Sequence, residues 1–234
     1  MSNNELPVND VKKQKPSLWG VLWSPAQTFA QIKENPKILM PFIIVTILTV
    51  LGALISIFNT DLILMEMEAQ LQGELGTGVS GESMEALATI VKVTSVIFSA
   101  LTPAFTVLIS SAILLLIAKI ARSPVTFKQL FSMNTYIFLL IALSTIINNL
   151  GKLITKNPMV QITSLASLIP AEGPLLGLLM NIEVFTIWTV FLTAIGLNIV
   201  ASFSKKLSWT VSILFYVFGI ILSMISTGIN ATMM

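Results

Sequence analysis

The 234-residue chain contains no cysteine and no histidine. Without thiols there are no disulfides, no thiolate metal sites and no cysteine nucleophile. Without imidazole there is no histidine haem ligand and no triad that passes a proton through His. Charge is scarce as well. Asp, Glu, Lys and Arg make up 10% of the residues, against about 25% in an ordinary soluble domain. A fold bathed in water on all sides must coat itself in charge, and this chain has too little. Nor is there a sizeable basic domain to offer nucleic acid a surface, which leaves nucleic acid out as a partner. Paired carboxylates occur only at Glu66/Glu68 and Glu82/Glu85, in a segment with nothing to fix their geometry, so glycosidase chemistry has no support. P-loop and H-E-x-x-H strings are absent. No Asp falls inside a long apolar block, and no Ser there has a Lys base beside it. The residues therefore predict no enzyme, no metal and no cofactor.

What the chain does have is apolar residues, 55% of the total, gathered in long blocks. Crossing about 30 Å of hydrocarbon takes roughly 20 mostly apolar residues in a helix. Five blocks qualify, at about 38–58, 93–120, 131–150, 175–200 and 209–229. Lipid cannot hydrogen-bond exposed backbone, and the blocks are too long for barrel strands, so helices are predicted. The expected fold is all-α, a polytopic bundle of five transmembrane helices with an N-terminal interfacial helix. The first block follows a long polar tail and exceeds a signal-peptide core, so it reads as a retained span.

Orientation follows from Lys and Arg. Five spans put the termini on opposite sides. Lys12, Lys13, Lys15, Lys33, Lys37, Lys119, Arg122, Lys128, Lys205 and Lys206 then share the side of the N-terminus, while Lys92, Lys152 and Lys156 lie opposite. The cationic majority predicts a cell-membrane protein with a cytoplasmic N-terminus and an external C-terminus. The clusters Lys12-Lys13-Lys15 and Lys205-Lys206 can touch anionic headgroups, although topology alone accounts for them.

Three regions result: residues 1–16 as a disordered cytoplasmic tail, 17–36 as an amphipathic cytoplasmic helix, and 37–234 as the membrane domain. In the second, Ser24-Pro25-Ala26-Gln27 has the form of a helix start, with Ser at the cap and Pro at the first position. Asn35-Pro36 is the stop. Phe29 and Ile32 face one way, Gln31, Lys33 and Glu34 the other, and Trp19 and Trp23 lie just upstream. A helix in the membrane interface and a helix packed on the bundle fit these residues equally. Thr126-Phe127-Lys128-Gln129 is a second capping box, starting the third span. On the external side, Leu62, Met65, Ala69 and Gln72 recur at helical spacing beyond the first span, and the semi-apolar segment from Gly151 to Pro174 is expected to lie flat on the outer surface. No internal repeat is evident, and an odd number of spans disfavours a simple inverted-repeat transporter.

Gly76-Thr77-Gly78-Val79-Ser80-Gly81 matches the dinucleotide string G-x-G-x-x-G, but no strand precedes it and the loop is acidic; a flexible linker is the reading. Glu183 is the most informative residue. An acidic group at the bilayer centre costs about 2.5–3.5 kcal/mol on insertion scales, so it needs a partner, water or a proton. On a helical wheel it shares a face with Thr186, Thr189, Thr193 and Gly196. The third span offers Asn134, Thr145, Asn148 and Lys152, the fifth Ser212, Tyr216, Gly219 and Ser223, the residue types through which membrane helices approach and hydrogen-bond. Glu183 is expected to be an interhelical pin bonded to Asn148 or Lys152, with a carboxyl lining a cavity as the alternative. Pro103, inside the second span, removes one backbone hydrogen bond and should kink the helix.

The order of these short motifs resembles that of bacterial Yip-domain (Ypt-interacting protein) membrane proteins. Leu22-Trp23-Ser24-Pro25-Ala26-Gln27-Thr28-Phe29 and Ile32-Lys33-Glu34-Asn35-Pro36 resemble the family's opening helix. Thr126-Phe127-Lys128-Gln129-Leu130 resembles the loop before its third span. Asn181-Ile182-Glu183-Val184-Phe185-Thr186-Ile187-Trp188, with Gly196-Leu197, resembles its fourth. The resemblance implies five spans, a cytoplasmic N-terminus and no catalytic group. It also implies, from the bacterial members that accompany ABC exporters, a non-catalytic accessory of an ABC efflux complex that protects against toxic peptides. Its partners would be membrane lipids and ABC transporter subunits, and a homo-oligomer is compatible. Pro25, Phe29, Pro103, Asn148, Glu183, Thr186 and Trp188 are the candidate contact or structural positions. The rival readings are a small transporter or channel and a membrane-organising or envelope-stress factor.

Overall fold

The computed structural model describes residues 15–59, 81–157 and 160–233, and of residues 81–85 and 230–233 the backbone alone. The predicted tail up to Gln14, the amphipathic stretch from Leu62 to Gln72 and the glycine string up to Ser80 lie outside the described residues. Among those described, the secondary structure is helical apart from turns and one isolated antiparallel bridge between Ser164 and Glu183. The helices are α1 (Gly20–Trp23), α2 (Pro25–Glu34), α3 (Leu39–Ile57), α4 (Gly81–Ile120), α5 (Phe127–Thr155), α6 (Gly173–Asn181), α7 (Val184–Ile199) and α8 (Lys205–Met233), with a 3₁₀ turn at Leu165–Ser167.

Four of them, α3, α4, α5 and α8, are long and apolar enough to cross a membrane. The block at 175–200 does not form one helix. It divides into α6 and α7 at Ile182 and Glu183, whose backbone leaves the helical region. With 16 residues, α7 spans only about 24 Å at 1.5 Å per residue, short of the hydrocarbon thickness by itself.

α5 is the centre of the bundle. Of its most apolar window, 61% is buried inside the protein, against 6% for α8. α3, α4 and α7 pack around α5, and α8 packs on α6 and α7. The capping box predicted at Thr126 starts α5: the Gln129 amide N–H donates to the Thr126 hydroxyl at 3.4 Å, and the Thr126 N–H donates to Gln129 Oε1 at 2.9 Å. At α2 the predicted boundary is also found, with Ser24 at the cap and Pro25 first, but the Ser24 hydroxyl makes no cap bond. The helix ends at Asn35.

α2 packs on α7 and α5. Phe29 and Ile32 are fully buried. The Phe29 ring and Met133 of α5 close on Gly196 of α7, where an added Cβ would stand 2.7 Å from the Met133 sulfur. Polar contacts hold the exit of α2: Gln129 Nε2 donates to the Lys33 carbonyl at 2.6 Å, Ser132 to the Lys37 carbonyl at 2.7 Å, and Lys33 Nζ to the Ser202 hydroxyl at 2.8 Å. α4 runs helical through Pro103, which is buried.

α8 grips the broken pair through the side chains its sequence places on one face. Ser212 donates to the Val190 carbonyl at 2.6 Å, Tyr216 to that of Asn181 at 3.1 Å and Ser223 to that of Gly177 at 3.1 Å. The approach is close because Gly177 has no side chain: a Cβ there would meet the Ser223 backbone at 2.7 Å. Gly219, on the same face of α8, has open space around it. Gly177→Ala should therefore destabilise the protein by about 1–3 kcal/mol through overpacking, despite the better helix propensity of Ala. Gly219→Ala should be neutral or stabilising by up to ~1 kcal/mol. Thermal unfolding of both variants in mild detergent checks the opposite signs.

Candidate functional site

The break between α6 and α7 is held by a polar cluster that spans three parts of the chain. α5 supplies Ser144 and Asn148, four residues apart and so on one helix face. The segment after α5 supplies Thr163. α7 supplies Glu183 at its N-cap and Thr186 one turn later. Glu183 is in extended backbone conformation, which lets it pair with the Thr163–Leu165 segment instead of continuing a helix. The Val184 N–H donates to the Thr163 carbonyl at 3.2 Å, and the Leu165 N–H donates to the Ile182 carbonyl at 3.1 Å. Backbone groups freed by the break thus find partners within the protein, as burial away from water requires. Ser164 is buried as a result. The segment from Gly151 to Pro174, expected to lie flat outside, turns back into the bundle at this point.

The Glu183 carboxyl is buried and accepts from four neutral side chains. Oε1 receives Asn148 Nδ2 at 3.0 Å, the Thr163 hydroxyl at 2.6 Å and the Ser144 hydroxyl in a short contact. Oε2 receives the Thr186 hydroxyl at 2.6 Å. Asn148 also binds Thr163 by its other end, its Oδ1 accepting from the Thr163 N–H at 3.3 Å. Burying a carboxyl without partners is costly, and this shell supplies donors to both oxygens. Lys152, offered by the sequence as a counter-ion, is not among the four. With Glu183 displaced from a regular helix toward Thr163, hydroxyls and an amide occupy the positions a cation would take.

Below the cluster, Thr186, Thr189 and Thr193 of α7 open onto a cavity of about 400 Å³ between α4, α5, α7 and α8, with Ser110, Asn134 and Tyr216 on its other walls. Asn134 donates to the hydroxyls of Ser110 at 3.2 Å and Ser111 at 2.8 Å, tying α5 to α4. Thr186 belongs both to the Glu183 shell and to the cavity wall; Glu183 itself does not line the cavity.

The candidate residues separate into groups. Asn148, Glu183 and Thr186 come together. Pro25 begins α2, and Phe29 fills the junction at Gly196. Pro103 lies within α4 and is not part of the cluster. Trp188 faces outward, 39% exposed, in an aromatic series in which Phe191 lies 6.1 Å from Trp188 and 5.2 Å from Trp209 between ring centres. The polar face read on α5 also divides. Asn134 joins α4, while Thr145 bonds its own helix at the Ile141 carbonyl. Ser144 and Thr163 were missed. Ser144 could have been found, four residues before Asn148; Thr163 sits in an irregular segment where periodicity carries no signal.

Fold and site define a polytopic α-helical membrane protein with a pinned, interrupted helix. The Yip1 domain family model matches residues 19–226, and the chain belongs to that family. It is 32% identical over 219 residues to "Membrane protein YknW" of Bacillus subtilis (strain 168), an alignment covering 93% of each chain. No solved structure matches it.

Replacing Glu183 by Ala removes the acceptor for four donors and should cost about 1–3 kcal/mol of stability. Glu183→Gln keeps the shape and one acceptor oxygen and should cost less. Thermal unfolding in mild detergent ranks them; equal stability of both variants and the parent would show that the cluster is not a pin.

Proposed function

We propose that this Yip-family protein is a non-catalytic membrane accessory that works by lateral contact with a partner complex, an ABC efflux system being the partner class. Five crossings are proposed, the fourth made by α6 and α7 together, with the N-terminus in the cytoplasm and the C-terminus outside. The observation that carries the accessory reading is how the one carboxylate buried among the described residues, at the helix break, is used. Both oxygens of Glu183 accept from the protein's own side chains, so the group serves the fold and is not held open toward a transported ion. The outer surface suits lateral contact. α8 is mostly unburied, and the Trp188, Phe191 and Trp209 rings stand on the same outer side. Aromatic side chains, above all Trp with its apolar body and polar N–H, are common both at interfaces and at membrane boundaries. The ABC partner itself comes from the family resemblance, since some bacterial members of the family accompany such exporters.

One observation favours a second reading, a transporter in its own right. The 400 Å³ cavity, otherwise apolar, carries hydroxyl and amide side chains from five helices, which would serve as polar positions along a solute path.

Affinity purification of the tagged protein from its native membrane in mild detergent should recover an ATPase and a permease of one ABC system. Recovery of the chain alone, together with solute flux in proteoliposomes containing only this chain, would replace the accessory reading with the second. Reporter fusions should place the two termini in opposite compartments; both in one compartment would refute five crossings.

A further inference from the structure

The chain ahead of α1 is fastened to the core at a point unrelated to the Glu183 cluster. The hydroxyl of buried Tyr136, on α5, donates to the Pro16 carbonyl at 3.1 Å. This bond sets Lys15 opposite Lys37, which lies just before α3. The two lysines, both exposed, share a recess of about 410 Å³. Its other walls are largely apolar, including Leu39, Met40 and Ile44 of the first turns of α3, with Tyr136. Leu39 and Met40 are 71% and 67% exposed, so the recess opens sideways, where the apolar part of α3 enters the membrane. A second recess, of about 420 Å³, lies on the other side of Lys15. Its walls are polar, including Ser17, Ser24, Gln27 and Thr28. Among the described residues no acidic side chain lines either one.

We propose that these adjoining recesses form a binding site for one anionic phospholipid of the phosphatidylglycerol class. The phosphate would lie between Lys15 and Lys37, the acyl chains along Leu39, Met40 and Ile44, and the glycerol headgroup toward the polar recess. Three features select this ligand. Two cations with no carboxylate lining the recesses among the described residues favour an anion and disfavour a headgroup that carries its own ammonium. The apolar wall excludes a free phosphate or nucleotide as the natural occupant, since either would leave that wall uncovered. The position is at the entry of a spanning helix, in the same N-terminal segment as exposed Trp19 and Trp23, and headgroups and interfacial tryptophans meet at such an entry. Lysines that serve only the topology signal need no cavity between them; these two have one, shaped for a molecule polar at one end and apolar at the other.

The test is native mass spectrometry of the full-length protein in mild detergent with phosphatidylglycerol or phosphatidylcholine of identical acyl chains. One phosphatidylglycerol should stay bound per chain while phosphatidylcholine is stripped. The double variant Lys15→Gln/Lys37→Gln should weaken phosphatidylglycerol retention by about thirtyfold, following the attraction typical of one juxtamembrane Lys taken twice. Lys205→Gln/Lys206→Gln, elsewhere on the chain, should leave it unchanged, and excess inorganic phosphate should not displace the lipid. The proposal is overturned by equal retention of the two lipids on the unaltered protein, a comparison that needs no variant to fold. It is also overturned if the Lys15/Lys37 variant retains the lipid like the parent, if the Lys205/Lys206 variant loses it equally, or if inorganic phosphate displaces it.

Discussion

A peptide group that loses its helical partner inside a packed protein has no water to turn to, and the architecture of this protein meets that demand at one place. Between α6 and α7 the helix stops for two residues. The Thr163–Leu165 segment comes in as a short strand-like partner and takes up the freed backbone groups. The carboxyl of Glu183, brought into the break, is surrounded by the hydroxyls of Ser144, Thr163 and Thr186 and the amide of Asn148. The cluster therefore joins a loop, the central helix α5 and the start of α7 in a single hydrogen-bonded unit. Because buried polar groups are costly when unpaired, each member constrains the position of the rest.

The same demand explains how the peripheral helix α8 is attached. With little of its own surface buried, α8 cannot depend on an apolar stripe, since lipid tails solvate such a stripe as well as protein does. It instead directs Ser212, Tyr216 and Ser223 to carbonyls along α6 and α7, and Gly177 lets the backbones come near enough. At the opposite end, α2 is fastened by apolar burial of Phe29 and Ile32 together with side-chain bonds to the carbonyls of Lys33 and Lys37. The membrane domain and the amphipathic N-terminal helix are thus one packed body, and the lysines beside Pro16 and Ile38 are held in place by it.

Much of this was legible in the residues. Apolar length located α3, α4, α5 and α8, because hydrocarbon thickness sets a minimum that chance runs seldom reach. Thr126 and Gln129 announced the start of α5, since a capping box needs only neighbours in sequence. The face of Ser212, Tyr216 and Ser223 was correctly grouped, though not its targets. Asn148 was rightly singled out as a partner for Glu183, whereas Lys152 was not used. The break itself was not legible: the block from Leu175 to Val200 is apolar throughout except at Asn181, Glu183, Asn198 and three threonines, and an unbroken helix satisfies its composition equally well. Ser24 shows the converse, a cap residue in its expected place whose hydroxyl is idle.

By itself, then, the sequence determined that the chain lives in a membrane, where its long helices lie, and which residue types would have to find hydrogen-bond partners there. These are properties of composition and of spacing within single segments. Which partners they find was decided only by the tertiary structure. Thr163 and Ser144 reach Glu183 across 20 and 39 residues of chain, and α2 settles on the bundle because α5 and α7 together leave a socket at Gly196. Helical periodicity reports which way a side chain points, and it contains nothing about what another part of the chain will bring to meet it.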